Sequence, residues 1–225
     1  MGKTYYWIII YRIELLSDIH AGAGVTLHGG NIHGLKKDEQ GFPFLPHTEV
    51  RGLLRLSARR LASWRPALGS RVQKNFRSGG KEMSGLWSYT SARYKRGLLS
   101  GLDDPGLASI LGFQSHIKTV EASDPRLFSY EKAGGWDKEW RSLWGIVFSI
   151  EPSEQEDAAL LIASMRAEDR IGLRRTRGYG HVSWDLKKVQ RYQAGGGLQD
   201  CTKSIEQWVG LLLSGKGAEH ENCNN

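Results

Sequence analysis

The apolar positions along the chain predict three strands. Thr4 to Ser17 is dense in Tyr, Trp and Ile and contains the β-branched run Ile8 to Ile10, which is typical of a central strand covered on both faces. The segment Leu143 to Ile150 alternates, with the apolar residues Trp144, Ile146, Phe148 and Ile150 on one side, as a half-buried strand does. Val182 to Leu186 alternates in the same way, so it predicts the last strand.

Spacings of three and four residues predict two helices. The first begins near His47 or Thr48, and its apolar face consists of Val50, Leu53, Leu54, Ala58 and Leu61. The second opens with a capping box at Ser153 and Glu156, and its apolar face consists of Ala158, Leu161, Ile162 and Met165. Each spacing places these side chains on one side of a helix.

The order of these elements predicts an α+β fold. A strand, a long segment at 19–41, a helix, a weakly periodic segment, a strand, a helix, a glycine-bearing loop and a strand follow one another. That order matches a ferredoxin-like (RRM-like) β-α-β-β-α-β core in which one strand is not located. The glycine-rich segment at 19–41 is predicted to be a long loop or a hairpin.

The chain is expected to be organised around one domain at 1–192, with a basic insertion at about 65–110. Residues 193–225 are expected to form a linker at Gly195 to Gly197, a short C-terminal amphipathic helix and a flexible tail. A chain of 225 residues buries enough surface to form a core without covalent staples. Its two cysteines are too few for a disulfide framework or a four-ligand zinc site.

Basic residues are in excess and unevenly placed. The chain has 31 Lys and Arg against 24 Asp and Glu, a net charge of +7, and a pI near 9.4. Between Arg51 and Arg96 there are twelve basic residues and one acidic residue, Glu82. Three of them, Arg51, Arg55 and Arg59, repeat every fourth residue on a second face of the first helix. Clustered arginines favour a polyanionic partner such as nucleic acid, because guanidinium groups bind phosphate in a bidentate geometry.

The N-terminal segment gives an expectation about location. Its apolar run is short and is interrupted by Arg12 and Glu14, which is unlike a signal peptide or a membrane span. We therefore expect a cytoplasmic protein with no membrane partner.

The segment Ile171 to Val182 carries the most specific chemistry. It contains Gly172, Gly178 and Gly180, with Arg174, Arg175, Arg177 and Tyr179 among them. Glycines let backbone N–H groups approach a phosphate, arginines add charge-assisted contacts, and a tyrosine ring can stack on a base. The segment is neither a Walker loop nor a dinucleotide fingerprint. The alternative is a tight turn in which the arginines are incidental.

This segment resembles the glycine-rich signature of the RAMP superfamily, the ferredoxin-like RNA-binding subunits of CRISPR–Cas effector complexes. The segment Gly41 to Arg55, GFPFLPHTEVRGLLR, is similar to the type III RAMP pattern G-x-P-x-I-P-G-S-S-L-K-G that leads into the first helix. His47 stands where that pattern has glycine. A weaker similarity is Val120 to Asp124, which resembles a family strand ending in Ser-Asp.

The resemblance implies a subunit that binds guide RNA (crRNA), with complementary target RNA, copies of itself and other effector subunits as partners. Backbone subunits of this kind carry a target-cleaving aspartate about a dozen residues before the G-x-P proline. Asn31 occupies that position here, and a neutral amide cannot act as a general base. We therefore expect no catalytic residue, metal or cofactor, with His33 as a weak substitute and His28 and Asp18 as further ones.

Two functions are consistent with these residues and with the resemblance. The first is a non-catalytic RNA-binding subunit, either a backbone subunit with a thumb hairpin at Phe128 to Trp140 or a subunit that caps the 5′ end of the guide. The second is a RAMP-fold endoribonuclease that processes precursor guide RNA or cleaves target RNA. Its candidate acid–base residues are His20, His28, His33 and His47.

The tryptophans divide into two groups. Trp7, Trp144 and Trp184 lie on the predicted strands, so we expect them in the core. Trp64, Trp87, Trp136 and Trp140 lie in basic or irregular segments, so they are candidates for base stacking or for contacts with other subunits.

Overall fold

The structure is a computed structural model. It describes residues 3–19, 22–27, 32–38, 42–76, 85–94, 117–120, 129–133, 142–172, 180–193 and 197–215. The strands over these residues are β1 (Tyr6–Leu15), β2 (Gly22–Leu27), β3 (Ile32–Leu35), β4 (Trp87–Tyr89), β5 (Arg93–Tyr94), β6 (Ile117–Val120), β7 (Ser129–Ala133), β8 (Ser142–Ser149), β9 (Val182–Tyr192) and β10 (Leu198–Asp200). The α-helices are α1 (His47–Trp64), α2 (Gly69–Asn75), α3 (Gln155–Arg166) and α4 (Ile205–Ser214), and a 3-10 turn covers Pro66–Leu68.

The main sheet has the strand order β10-β9-β1-β8-β4, and β5 also pairs with β8. All of its pairings are antiparallel. With α1 between β1 and β4 and α3 between β8 and β9, this is the ferredoxin-like β-α-β-β-α-β core that the sequence predicts. The α+β, ferredoxin-like prediction is confirmed. The strand that periodicity did not locate is the short pair β4 and β5, inside the range where an insertion was expected.

The helices cover one face of this sheet. Alternate residues of β1, namely Trp7, Ile9, Tyr11 and Ile13, are fully buried in one core with Val50 and Leu54 of α1, Leu161 of α3 and Trp208 of α4. The indole rings of Trp7 and Trp208 are 5.7 Å apart in an edge-to-face arrangement, which is the preferred geometry for aromatic pairs. The C-terminal helix α4 is therefore part of the core.

The other face of the sheet is only partly covered. Tyr6 and Ile8 of β1 are more than a third exposed, so the prediction that this strand is covered on both faces holds for one face only. In β8 the buried apolar residues are Leu143 and Val147. Trp144 is half-buried and lies on the partly covered face, so the expectation that it lies in the core is wrong, because the opposite side of β8 faces the helices. Trp7 lies in the core as expected, and the half-buried Trp184 packs beside Tyr11, with 5.2 Å between ring centroids.

The helix α3 begins one residue later than the predicted capping box. Ser153 is held in an extended bridge with Tyr5, with backbone hydrogen bonds of 2.9 and 2.8 Å. Glu154 is therefore the N-cap, and its backbone N–H donates to the carboxylate of Asp157 at 3.2 Å. A capping box is present as predicted, but Glu154 and Asp157 form it.

Several basic residues between 65 and 76 have structural partners. Lys74 and Arg71 of α2 contact the buried carboxylate of Asp157 at 2.6 and 3.2 Å, and Arg71 also contacts Glu154 at 2.8 Å. These anionic neighbours raise the pKa of Arg71 against the opposing effect of its burial. The guanidinium of Arg65 donates to the carbonyl oxygen of Leu212 near the end of α4. Part of the basic excess thus attaches α2 and α4 to the core.

A second sheet has the order β2-β3-β7-β6. The strands β2 and β3 pair as an antiparallel hairpin. Of the two predictions for the segment 19–41, a long loop or a hairpin, this agrees with the hairpin. β3 and β7 pair in parallel, with Ile32 opposite Ser129 and His33 opposite Tyr130. Of the segment proposed as a thumb hairpin, the structure describes only 129–133.

Candidate nucleic-acid interface

One end of the main sheet gathers the segments that the sequence singled out. We call it the loop end, where Leu15 at the end of β1 lies opposite Val182 at the start of β9. Tyr94 of β5 and Ile13 of β1 both lie opposite Leu143, so β5 finishes at the same end.

The base of the glycine-bearing loop is closed by backbone hydrogen bonds. The N–H of Ile171 donates to the carbonyl oxygen of Gly180 at 2.8 Å, and the N–H of Val182 donates to that of Asp169 at 2.9 Å. Gly172 and Gly180 have φ values of +79° and +77°, a conformation that L side chains rarely adopt. Both ends of the loop are thus fixed by the fold.

The same base is attached to the end of β1. The N–H of Gly180 donates to the carbonyl oxygen of Asp18 at 2.9 Å, and that of Leu16 donates to His181 at 2.8 Å. The hydroxyl of Ser17 accepts from the N–H of His181 at 2.9 Å. The base of the loop therefore lies at the loop end of the sheet. Arg174, Arg175, Arg177, Gly178 and Tyr179 lie outside the described residues.

The motif that precedes α1 enters at this end too. The backbones of Leu45 and Ala92 exchange hydrogen bonds of 3.0 and 2.8 Å, which brings the chain to α1 beside β5. Arg93 contacts Asp38 at 3.1 Å and lies 4.8 Å from the ring centroid of Phe44. Asp38 also accepts from the N–H of Phe42 at 2.8 Å. Arg93 belongs to the basic range that favours a polyanionic partner, but in the fold its contacts with Asp38 and Phe44 stabilise this motif.

Three arginines of α1 form a basic stripe. Arg51 and Arg55 are half-buried and Arg59 is exposed. Within the part of the chain that the structure describes, Arg55 and Arg59 take part in no ion pair. Their charges can therefore act on a partner.

A buried carboxylate joins α1 to the segment that leads into the glycine-bearing loop. Glu168 accepts from the hydroxyl of Ser57 and from Arg60, both at 2.6 Å, and its side chain is almost fully buried. Sequence reasoning missed this contact, because the partners are 111 positions apart and no local pattern connects them. The contact holds the basic stripe in a fixed relation to the loop base.

The candidate catalytic residues are only partly described. Asn31, His20 and His28 lie outside the described residues, and His33 lies on β3, where its backbone is in register with Thr26. His47 is exposed at the start of α1, and its N–H donates to Ser91 at 3.3 Å. Among the residues described, no three His, Cys, Asp or Glu side chains form a group that could hold a metal.

The candidate stacking tryptophans differ from one another. Trp64, at the end of α1, is 91% exposed and is available for a partner. Trp87 of β4 is buried in the core, so the expectation that it contacts a partner is wrong, because β4 completes the sheet. Trp136 and Trp140 lie outside the described residues.

Comparisons with known proteins place this chain in a family. No curated protein matches it. Among solved structures it is similar to a chain of "Cryo-EM structure of the Type III-B Cmr-beta bound to cognate target RNA", with 12% identity, a TM-score of 0.49, and coverage of 80% of this chain and 96% of that chain. In the described part of the chain, no helix is both long and apolar enough to cross a membrane. The family model of the RAMP superfamily matches residues 12–183, most of the 225-residue chain, and the chain belongs to that superfamily.

Proposed function

We propose that this chain is an RNA-binding subunit of a CRISPR–Cas effector complex of type III or a similar type, acting in the cytoplasm. In this role it holds guide RNA for pairing with target RNA, alongside copies of itself and other effector subunits. The supporting observation is the arrangement at the loop end of the sheet, where a glycine-bearing loop is clamped at its base beside the helix that carries the basic stripe. Membership of the RAMP superfamily supports the same assignment.

Each part of this arrangement has a chemical role in the proposal. Phosphates of the guide accept hydrogen bonds from backbone N–H groups of the loop and from Arg174, Arg175 and Arg177. Arg55 and Arg59 extend the positive surface along α1. These contacts are made to the backbone of the RNA, so the bases stay free to pair.

The proposed subunit does not cleave RNA. Asn31 stands where the family pattern has an aspartate, and an amide neither accepts a proton at neutral pH nor replaces a carboxylate at a metal. The chain then holds RNA without cutting it.

RNA binding is tested by fluorescence anisotropy with a labelled single-stranded CRISPR repeat RNA at several salt concentrations. Replacing Arg174, Arg175 and Arg177 with alanine should weaken binding and make the log–log salt dependence shallower by about 2, at about 0.7 per lost phosphate contact. The matched control replaces the exposed Lys187, Lys188 and Lys203, which removes the same charge elsewhere. If both triple variants lose the same affinity and the same salt dependence, RNA binding depends on net charge alone. That result would contradict a specific role of the loop.

Catalytic status is tested on the assembled guide–protein complex with complementary target RNA and a divalent metal. The wild type should leave the target intact, and Asn31→Asp is the variant in which cutting at regular spacing is expected to appear. The alternative, an endoribonuclease, predicts cutting by the wild type that His33→Ala abolishes. That result would overturn the non-catalytic assignment and leave the RNA-binding assignment standing.

A further inference from the structure

The partly covered face of the main sheet carries a continuous apolar patch. We call it the open-face patch. Its six residues are 38% to 55% exposed: Tyr6, Ile8, Phe148, Ile150, Tyr192 and Leu198. Five of them lie on adjacent strands, with Ile8 opposite Phe148, Tyr6 opposite Tyr192 and Tyr192 opposite Leu198, and Ile150 follows directly after β8. The patch is therefore a single surface.

The amino-acid pattern of these strands is that of a sheet with both faces covered. The helix side of β1 is fully buried, and its other side carries Tyr6, Ile8 and Ile10 instead of polar residues. A sheet with one face in water normally alternates apolar and polar positions. Over the patch, the side of β1 and β8 that faces away from the helices is apolar instead of polar, which indicates that something covers it.

The size of the patch suits a modest protein interface. At about 200 Å² for a large side chain, six residues exposed to this extent present roughly 500 Å². That lies near the upper end for the largest apolar patch of a typical monomer. With the half-buried Trp144 and Ile146 beside it, it approaches the roughly 600–800 Å² that each partner of a small or standard interface buries.

The charges on this face compensate one another. Asp185 contacts Arg12 at 2.9 Å and Lys187 at 2.5 Å, and Glu14 lies 3.7 Å from Arg12. Lys188 is close enough to Asp200 to help lower the pKa of that carboxyl. A polyanion gains little here, because most of these cations already have carboxylate partners. The chain has a net charge of +7, so two copies repel each other over most of their surfaces. On this face the charges are compensated, so two copies can approach here without that repulsion.

We propose that the open-face patch is a self-association surface on which a second copy of this chain packs its own patch. Contact between identical patches closes with two-fold symmetry and stacks two sheets about 10 Å apart. The second copy then covers the apolar side of β1 and β8. This contact is separate from the assembly of copies along guide RNA, and it does not depend on RNA.

The test uses RNA-free protein, so that its failure leaves RNA binding unaffected. Sedimentation velocity from about 1 to 100 μM, the range of a weak dimer, should show a monomer–dimer equilibrium that persists in 0.5 M NaCl, since apolar contacts are not screened. Phe148→Lys should raise the dimer dissociation constant at least about tenfold. The matched control is Leu56→Lys on α1, where the leucine is 44% exposed on a different face, and it should leave the equilibrium unchanged.

Several outcomes would overturn the proposal: a wild type that stays monomeric at 100 μM, a dimer that dissociates in 0.5 M NaCl, or equal losses in the two lysine variants. Circular dichroism establishes that Phe148→Lys is folded, and Tyr192→Lys near the edge of the sheet replaces it if it is not. A monomeric wild type whose affinity for oligouridylate falls in Phe148→Lys would identify the patch as a base-stacking surface and reject self-association.

Discussion

The carbonyl oxygen of Ile171 occupies the space that a β-carbon on Gly180 would take. The two residues close the base of the glycine-bearing loop, with the N–H of Ile171 donating to Gly180 at 2.8 Å. Because Gly180 also has a φ of +77°, glycine is required here by the backbone. The sequence predicts a phosphate-binding role for this glycine, and the backbone geometry adds a requirement that comes from the fold.

Gly180→Ala should lower the free energy of unfolding by about 2–4 kcal/mol. The left-handed conformation alone costs an L residue about 1–2 kcal/mol, and the clash with a backbone oxygen cannot be relieved by a side-chain rotation. Urea denaturation measures the effect. Gly197→Ala is the control, since a β-carbon there meets nothing within 4 Å, and it should change stability by less than about 0.5 kcal/mol. Equal stability of the two variants would contradict the clash.

Gly52→Ala should stabilise the protein by about 0.5–1 kcal/mol. Gly52 lies inside α1, where glycine costs about that much relative to alanine, and its β-carbon would meet no atom within 4 Å. The midpoint of urea denaturation should rise. A midpoint that falls would contradict the open space around this position.

The sequence predicted the core elements because their patterns are long enough to be read. The strand at Thr4 to Ser17 and the helix from His47 each extend over ten or more residues, so their periodicities are unambiguous. The strands β4 and β5 have three and two residues, too few for an alternation to emerge. They form because they can pair with β8. This pairing is a tertiary contact, so no local sequence pattern predicts it.

The sequence predicted which residue types form the candidate site, but not the contacts that hold them in place. The glycines at 172 and 180 were recognised, and their positive φ values agree with the reason given for them. The contacts that fix the loop base come from Ser17 and Asp18, far away in sequence. Arg71 and Lys74 look like part of a polyanion-binding cluster in the sequence, yet in the fold they contact Asp157, because a buried carboxylate requires cationic partners.

Ser57→Ala should destabilise the protein by about 1–3 kcal/mol, the cost of removing a hydrogen bond from a buried charged group. The Ser57 hydroxyl donates to Glu168 at 2.6 Å, and both side chains are buried. Ser63→Ala is the control on the same helix, because that hydroxyl is exposed and donates to the carbonyl oxygen of Arg60 in its own helix. Chemical denaturation of both variants gives the comparison. Losses of equal size would show that the contact with Glu168 contributes nothing.

Asp200 should contribute a component of stability that depends on pH. Hydrogen bonds from the side chain and the backbone N–H of Thr202, at 2.6 and 2.9 Å, hold the pKa of this carboxyl below its usual value. A lowered folded-state pKa stabilises the protein above the ordinary Asp pKa of about 3.9, and this contribution disappears as the pH falls through the lowered value. The stability difference between wild type and Asp200→Asn should therefore be constant at neutral pH and change only below about pH 4. A difference that is independent of pH down to about 2 would contradict the assignment.

Replacing Arg55 and Arg59 with glutamine should weaken RNA binding without loss of stability. Neither arginine takes part in an ion pair within the described part of the chain, and glutamine keeps the helix propensity of α1, so the free energy of unfolding should change by less than about 0.5 kcal/mol. If both contact phosphates, the log–log salt dependence of binding becomes shallower by roughly 1.4, at about 0.7 per contact. The control is glutamine at Lys188 and Lys203, which removes the same charge away from the stripe. A salt dependence that changes equally in both double variants would show that α1 does not lie along the RNA, and the interface would then be confined to the glycine-bearing loop.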